Sequence, residues 1–450
     1  MLTKEKVDQL TFDEQFSWNM PPTFNNNIYI QLEKMINWDN IYSNFSRFYN
    51  NSGRNSIPLK HMIMFLLIKH LDSLSDEEVV IRLSTDLAMQ KAFNLPFSVC
   101  QIEEYYTNTK RDGKVKKITG YINPSSLTLF RKRIGSEGVK IVAEILYGNS
   151  YFRKVLKSRR VVIDTTAIQA DISYPTDIGL LEQARRFLIE LLERYHTERI
   201  RTYKRVARKT FLSYAKLKSK LRSKTKKIHK KMINYVRRNF KQVNNLLDKK
   251  KLTDKQKEIL ENIKILLRQQ IEIYKNTPRN GKKHGIRIKD RIVSIFKGHV
   301  RPIPRGKTPQ RTEFGSKVLL EMRNGYVIPL HITNENTADS TLAAKYFEKW
   351  KGKSLGGDRG FHSKQNTKYA KKAGISHYFV EKKGKVGLKK TRAVKKIRSL
   401  RSTLEAKIGL AKRKFGSNRN RYNRGSVGDE QWIILSFLGM NIKRLISNSN

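Results

Sequence analysis

The stretch "VVIDTTAIQADISYPTD", residues 161 to 177, decides which fold this chain can adopt. Its first three residues are β-branched and apolar, which is typical of a buried strand. A carboxylate at the tip of such a strand is costly to bury, so Asp164 is predicted to end the strand and to bind a ligand. Asp177 precedes an apolar helical pattern, which predicts a helix N-cap. Asp171 is predicted to lie in an exposed turn.

Charge is the strongest compositional signal in the 450 residues. The chain has 93 Lys and Arg against 39 Asp and Glu, a net charge of +54 and an isoelectric point near 10.3. Such an excess of positive charge repels itself unless a polyanion binds, so a nucleic acid is the expected partner. A merely soluble basic surface needs far less charge than this.

Cysteine content and hydropathy narrow the class of protein further. The one cysteine, Cys100, excludes an intramolecular disulfide and a zinc site built from several cysteines. This usage fits a reducing cytoplasm. The longest apolar run, from Met62 to Ile68, is too short to span a bilayer. We therefore expect a soluble protein of two or three domains, with no membrane partner.

Residues 1–155 are expected to form an all-helical domain. Two apolar stretches in residues 57–96 are separated by Ser75, a good N-cap that is followed by three acidic residues. A second helix start, near residue 124, leads into a basic helix that carries Arg131 and Arg133. Such a domain suits DNA docking, and it equally suits packing or dimerisation, so both functions stay open.

A long basic helical segment follows, in residues 179–299. Between residues 201 and 240 there are sixteen Lys or Arg and no acidic residue, with aromatic residues interleaved. The uninterrupted positive charge predicts that this insertion binds nucleic acid phosphates. The aromatic residues are interpreted as packing residues between helices, although a solvated helical arm has the same pattern.

The pattern changes to β-strands after residue 300. Residues 316–324 and 326–333 alternate in polarity around an Asn-Gly turn, which predicts a hairpin. Further short strands are predicted at 353–361 and 375–382, each followed by a helix, the last of them a long one at 393–415. With the strand near residue 161, this order predicts an α/β fold in which helices cover a mixed sheet.

Three acidic residues stand out by their placement. Asp164 and Asp358 both follow strands, where open α/β sheets bind their ligands. Glu405 lies on the long helix, within about 40° of Arg401 and Lys412 on a helical wheel, and it is predicted to border the buried face. Carboxylates that converge repel one another unless cations lie between them, and their hard oxygens favour Mg²⁺ or Mn²⁺. Taken alone, an Arg401–Glu405 pair is an ordinary helix-stabilising ion pair.

The order of these acids resembles that of the DDE transposases of bacterial insertion sequences, in particular an IS-five and ISNCY-type branch. The resemblance is carried by the opening stretch, by "HVRPIPRGKTPQRTEFGSKV" (299–318), by "GGDRGF" (356–361) and by the Arg401, Glu405, Lys412 spacing. It implies an RNase H-like mixed sheet with flanking helices, formed by 156–178 and 300–450. It also implies that residues 57–96 belong to the helical transposase domain of that branch.

The resemblance implies a chemistry and a set of partners. Asp164, Asp358 and Glu405 would be the catalytic residues and would hold two Mg²⁺ or Mn²⁺ ions for phosphodiester cleavage and strand transfer. Arg401 and Lys412 would contact phosphates. The partners would be double-stranded DNA, as terminal inverted repeats and target, and a second copy in a homodimer. The implied location is the bacterial cytoplasm, at the nucleoid.

Further DNA contacts are expected from basic residues around the site. The Pro- and Gly-rich loop predicts contacts by Arg301, Arg305 and Lys307. At position 398 this chain has Arg398, where related transposases often have Tyr, so any contact to the DNA end there would come from a guanidinium. Three alternatives stay open, namely a structure-selective nuclease, a catalytically inactive DNA-binding relic, and a basic RNA- or ribosome-binding protein.

Overall fold

The chain divides into two compact units. The computed structural model describes residues 22–50, 52, 55–109, 113–196, 198, 200–218, 222–277, 288–304, 312–381, 391–422 and 425–448. The first unit comprises Met1–Ile168, Lys317–Thr333 and Thr337–Asn450, and the second comprises Gln169–Ser316 and Asn334–Asn336. Two strands continue from one unit into the other, because their residues fall on both sides of these boundaries.

Helices dominate the amino-terminal part of the first unit. They are α1 (Ile28–Met35), α2 (Trp38–Phe45), α3 (Leu59–Leu71), α4 (Asp76–Thr85), α5 (Leu87–Phe93), α6 (Pro124–Gly148) and α7 (Ser150–Leu156). The N-cap prediction at Ser75 is confirmed, because Ser75 and Glu78 form a reciprocal capping box at the start of α4. Helix α6 is capped by Asn123, and it kinks at Gly135, whose φ is +58°.

One hairpin interrupts these helices and was not anticipated. Strands β1 (Glu103–Thr109) and β2 (Gly113–Thr119) pair antiparallel in the described residues. The signal was present in the sequence, since residues of high β-propensity stand on both sides of an Asp-Gly dipeptide, Asp112-Gly113. The region is otherwise helical, as predicted.

The sheet of the first unit contains the strand with which the sequence analysis began. Its elements are β3 (Arg160–Ala170), β5 (Thr312–Arg323), β6 (Tyr326–Thr333), β7 (Ser354–Gly356), β8 (His377–Phe379) and β9 (Arg419–Asn420), with helices α12 (Asp339–Ala344), α13 (Lys364–Lys372), α14 (Arg392–Lys414) and α15 (Gly425–Ser447). The order is β5, β3, β7, β8, with β6 beside β5 and β9 beside β3. Strand β7 is parallel to β3 and to β8, whereas β5 and β6 are antiparallel. The predicted mixed α/β sheet is confirmed.

The predicted Asn-Gly hairpin is confirmed between β5 and β6. Arg323 pairs with Tyr326, and the two loop residues, Asn324 and Gly325, both have positive φ, at 50° and 82°. Two successive residues with positive φ define a type I′ turn, whose twist matches that of the flanking strands. Local turn chemistry therefore fixes the register of this pair.

Helix α15 is buried along most of its length. Its residues join the apolar cluster formed by the amino-terminal helices, through Leu438 and Ile442, and also the cluster over the sheet, through Ile433 and Phe437. Gly439 allows the closest approach, since a Cβ there would lie 2.9 Å from the backbone of His70 in α3. One helix thus completes two cores.

Every helix in the described ranges falls short of the length and hydropathy needed to cross a membrane.

The second unit is mainly helical. It contains α8 (Asp177–Tyr195), α9 (Lys204–Ala215), α10 (Arg222–Leu246), α11 (Asp254–Lys275), strand β4 (Arg301–Pro304) and the start of β5, with which β4 pairs. The N-cap of α8 is Thr176 rather than Asp177, because the Thr176 hydroxyl accepts a hydrogen bond from Gly179 N. The Asp177 carboxylate instead accepts hydrogen bonds from Gln270 and Arg291.

The aromatic residues of the basic insertion pack between its helices, as predicted. Phe211, Tyr214, Tyr235 and Phe240 pack against the buried apolar cluster of the second unit. Tyr203 stacks on Tyr235 with ring centroids 6.3 Å apart. These rings are therefore occupied by packing within the protein.

Arg131 is a buried structural residue, which corrects its assignment as a DNA contact. Its residue exposure is 4%, and its guanidinium donates to both carboxylate oxygens of Asp76, at 2.9 and 2.6 Å. Lys69 donates to the same carboxylate, and Tyr422 lies beneath the guanidinium, 4.3 Å away. A guanidinium that is paired and buried in this way is not accessible to a phosphate. Arg133 is exposed and lies over Tyr49.

Arg131→Met is expected to lower the free energy of unfolding by about 3 kcal/mol, because removing one member of a buried ion pair leaves a carboxylate with incomplete compensation. Arg133→Met is the matched control, and its cost should stay below about 1 kcal/mol, the value of an exposed cation–π contact. Thermal and urea denaturation followed by circular dichroism measure both. Equal losses in the two variants would contradict the structural role of Arg131.

Candidate active site

Asp164 lies within β3 rather than at its end, which corrects the sequence-based prediction. The strand continues to Ala170, although its pairing with β7 ends at Val162 and Gly356. Asp164 is therefore two residues beyond the paired segment, at the edge where the two parallel strands separate. Its Oδ1 accepts a hydrogen bond from the backbone N–H of Thr165 at 2.7 Å. Asp171 is exposed in a bend after the strand.

Asp358 follows β7 by two residues and lies at the same edge. It begins a short 3₁₀ turn, and its Oδ1 accepts a hydrogen bond from Arg359 N at 2.6 Å. The side chain is 57% exposed. Asp358 and Asp164 thus both lie two residues beyond the paired segment of β3 and β7, at the edge where parallel sheets bind their ligands.

Two glycines that precede Asp358 are needed for packing. A Cβ at Gly356 would collide with Ile397 of α14, and a Cβ at Gly357 would lie 3.1 Å from Ile163. These contacts let α14 and β3 approach the strand closely. The glycines therefore bring together the elements that carry the acidic residues.

Glu405 lies on α14 and is exposed, so its predicted position at the border of the buried face is wrong. The helix packs on the sheet through Ile397, Leu404 and Ala411, which are buried. Glu405 directly follows the buried Leu404 in the sequence of α14. Exposure leaves its carboxylate accessible to a ligand from outside.

The pKa of Asp164 responds to the charges of both other predicted acidic residues. The pKa of Asp164 is raised from its ordinary value of 3.8 to about 6, chiefly by burial and in smaller part by the negative charges of Asp358 and Glu405. The hydrogen bond from Thr165 and the positive charge of Arg401 oppose this shift. Arg401 also donates to Asp358 Oδ1 at 3.3 Å. The structure therefore brings together four predicted site residues.

The donor set fits a hard divalent cation, although the side chains are not closed around one. Three carboxylates supply only oxygen ligands, and their mutual repulsion would be relieved by a cation. Among the described residues, no three His, Cys, Asp or Glu side chains are grouped closely enough to hold a metal ion. Closure would require rotation of the exposed Asp358 and Glu405 side chains.

A fourth carboxylate near the site was missed by the sequence analysis. Asp339 Oδ1 accepts hydrogen bonds from Thr165 Oγ1 at 3.0 Å and from Lys317 Nζ at 2.6 Å. A Cβ at Gly360 would lie 2.9 Å from its other oxygen. In the sequence Asp339 resembles a helix cap, and no local signal indicates that its partners come from β3 and β5.

Some predicted DNA contacts are engaged within the protein. Arg398 donates to Glu381 at 2.7 Å, and Arg359 donates to the other oxygen of the same carboxylate at 3.0 Å. Both interactions lower the pKa of Glu381. Arg301 donates to the carbonyls of Gly298 and Val300 in the second unit.

The remaining predicted contacts differ in what can be described. Lys412 is partly exposed on α14. Arg305 and Lys307 lie outside the described residues.

Asp164→Asn is expected to stabilise the protein in buffer free of divalent cations. Because folding raises the pKa of Asp164, the folded state releases this proton less readily, and stability falls as pH rises from about 4 to about 6. At pH 8 the variant should therefore have a higher melting temperature than the parent, with a gain in the free energy of unfolding of at most about 3 kcal/mol. Near pH 4 the two proteins should be about equally stable. Asp171→Asn is the exposed control. A variant that melts lower than the parent at pH 8 would contradict the stated electrostatics.

Comparison with known proteins is informative once this geometry is known. A family model described as "Transposase domain (DUF772)" matches residues 21–100. A second, described as "Transposase DDE domain", matches residues 290–442, which include Asp358 and Glu405 but not Asp164. Together the two matches span more than half of the chain.

A curated relative adds a similarity without a known activity. The "Uncharacterized protein ORF8 in nfe locus" of Rhizobium meliloti is 27% identical over 186 residues, which cover 40% of this chain and 80% of that protein. No solved structure matches the chain. The two family matches and the acidic cluster lead to one conclusion: the chain is a transposase of the insertion-sequence DDE type.

Proposed function

We propose that this transposase cleaves DNA at the ends of its element and joins the freed 3′-hydroxyl ends to target DNA, with Asp164, Asp358 and Glu405 as catalytic residues. The observation that carries the proposal is electrostatic. Strand β3, the end of β7 and helix α14 bring three carboxylates close enough that two of them raise the pKa of the third. A fold maintains such repulsion at a cost, which supports a catalytic role for the cluster.

Two Mg²⁺ or Mn²⁺ ions are the proposed cofactors, held by the same three carboxylates. When bound, such ions neutralise charge on the attacking and leaving oxygens of a phosphodiester. Asp164 would be the most rigidly held of the three metal-binding carboxylates, because it is the least exposed and lies within a strand. Asp358 and Glu405 would complete the metal site, since their exposed side chains are free to rotate toward Asp164.

The basic side chains of the site have separate proposed tasks. Arg401 contacts Asp358 and is 29% exposed, so it can exchange this contact for a phosphate oxygen of the DNA. Lys412 and Arg398 lie on the same helix and are proposed to contact the backbone beside the scissile bond. For Arg398 this requires release from Glu381, whose second partner, Arg359, would keep that carboxylate neutralised.

The second unit is proposed to hold flanking DNA through α10. Buried residues on one side of this helix include Met232, Val236 and Val243, whereas the opposite side is exposed and basic. Its exposed cations are Lys227, Lys230, Lys231, Arg237, Arg238 and Lys241. A helix face of one sign attracts a polyanion.

The proposed domain organisation follows from these assignments. Residues 1–155 form a helical domain for DNA binding or dimerisation, 156–178 and 300–450 form the catalytic domain, and 179–299 form the basic insertion. The two family matches support the first and second of these. Because two ends of an element must be handled together, we propose a homodimer on the DNA. A bacterial enzyme of this kind acts in the cytoplasm, at the nucleoid.

Asp164→Asn should abolish cleavage of a labelled duplex carrying the element's end while leaving duplex binding within about twofold, since an amide cannot replace the charge of a metal-binding carboxylate. Glu405→Gln should behave similarly. Asp171→Asn is the control and should cleave normally. Cleavage by Asp164→Asn protein at the parental rate would refute the catalytic assignment. Cleavage without joining to plasmid DNA would identify a nuclease.

Replacement of Lys230 and Arg237 by Gln should weaken duplex binding and reduce the slope of log affinity against log salt by up to about 1.8, or about 0.9 for each lost phosphate contact. Replacement of Lys255 and Lys264 on α11 is the control of equal charge, because Glu residues accompany these lysines. Fluorescence anisotropy over a salt series measures both slopes. Identical slopes for the two double variants would exclude a specific role for α10.

A further inference from the structure

A basic cavity lies in the first unit, away from the acidic cluster. Its volume is about 550 Å³, and it is bounded by α14, α15, the end of α3 and the β5–β6 turn. Lys407 and Lys414 enter it from α14, and Lys443 and Arg444 enter it from α15. On the helical wheel, Lys407 and Lys414 lie roughly 160° to 180° from Glu405, so the cavity and the candidate active site occupy opposite faces of α14.

The one acidic residue that lines this cavity is already neutralised. Asp72 Oδ2 accepts hydrogen bonds from Tyr29 at 2.6 Å and from Arg82 at 3.1 Å, and its Oδ1 accepts one from Lys443 at 3.2 Å. It therefore has little capacity to compensate the remaining cations. Within the described ranges, Lys407, Lys414 and Arg444 have no carboxylate at ion-pair distance.

Arg444 is held in place and still has an unused donor. Its guanidinium lies 5.3 Å from the ring centroid of Tyr326. A Cβ at Gly325 would lie 2.9 Å from Arg444 Nη2, so the glycine of the type I′ turn also makes room for this group. The Nε atom is buried and has no hydrogen-bond partner in the described part of the chain. A buried N–H without a partner is costly. Arg444 also lines the cavity, where the rest of its guanidinium can donate to a ligand oxygen.

The positive charges of Lys407 and Arg444 lie close together in the cavity and have no carboxylate partner among the described residues. Burial lowers the pKa of Lys407, and the positive charge of Arg444 lowers it in the same direction. The apolar side chains of Leu71, Leu410 and Phe415 line the rest of the wall and strengthen the repulsion by reducing contact with water. Such an arrangement becomes favourable when an anion enters.

We propose that this cavity binds a phosphate group through Arg444 and Lys407, with Lys414 and Lys443 at its open side. The planar guanidinium presents paired donors to phosphate oxygens, and the lysines add charge. The phosphate belongs either to free phosphate or to the backbone of bound DNA, because both present the same oxygens. The site is separate from the proposed catalysis, since it contains none of the three catalytic acids.

Isothermal titration of inorganic phosphate into the full chain tests the site directly. Arg444→Met and Lys407→Met should each weaken phosphate binding about tenfold or more, the usual value of a charge-assisted hydrogen bond. Lys395→Met removes an exposed charge of α14 outside the cavity and should leave binding unchanged. Circular dichroism and melting temperature verify that each variant is folded. Undetectable phosphate binding by the parent, or equal binding by all variants, would overturn the proposal.

Duplex DNA distinguishes the two sources of phosphate. If the cavity holds a backbone phosphate, free phosphate competes with duplex, and Arg444→Met lowers the salt slope by about 0.9 more than Lys395→Met does. If it holds free phosphate, the two variants bind duplex alike while only Arg444→Met loses phosphate. Asp164→Asn should bind phosphate normally, so a failure of the catalytic assignment remains distinguishable from a failure of this site.

Discussion

The first unit depends on the packing of α15, because this one helix supplies apolar side chains to two cores. Against α3 it packs at Gly439, where any side chain would meet the backbone of His70. Against the sheet it is fixed by Asn441, whose Oδ1 accepts from Val327 N at 3.1 Å and whose Nδ2 donates to Val327 O at 2.7 Å. An amide that satisfies both backbone groups of one residue sets the position of the helix along β6, and this in turn sets the wall of the basic cavity.

The same fold places the carboxylate of Asp164 in an environment that disfavours its charged form. Asp164 occupies a strand whose neighbours, Val162 and Ile163, are fully buried, and the strand's partner ends two residues earlier. The carboxylate therefore lies at the point where β3 and β7 separate. Arg401 compensates part of the negative charge, since it donates to Asp358 and its positive charge opposes the rise in the pKa of Asp164. Under the proposed catalytic role, stability and function oppose each other at Asp164.

Features of the fold that depend on residues close together in the sequence could be predicted, whereas features that depend on contacts between distant residues could not. The β5–β6 hairpin was predictable because Asn324 and Gly325 alone specify its turn, and the order of strands and helices followed from periodicity. The length of β3 was underestimated, because the Thr and Gln residues after Asp164 conceal a strand that continues to Ala170. The burial of Arg131 was not predictable, since its partner, Asp76, lies 55 positions away in the chain. The role of Asp339 depends on similarly distant contacts.

The shared use of α15 has a consequence for how copies of such an element lose function. The amino-terminal helices bury their apolar surface against a helix that is synthesised several hundred residues later, so their core stays incomplete on the ribosome until that segment emerges. A nonsense codon or frameshift anywhere before α15 would leave exposed apolar surface, which directs a chain to proteolysis or aggregation. Truncated copies would therefore be removed rather than persist as binding-competent inhibitors of intact ones.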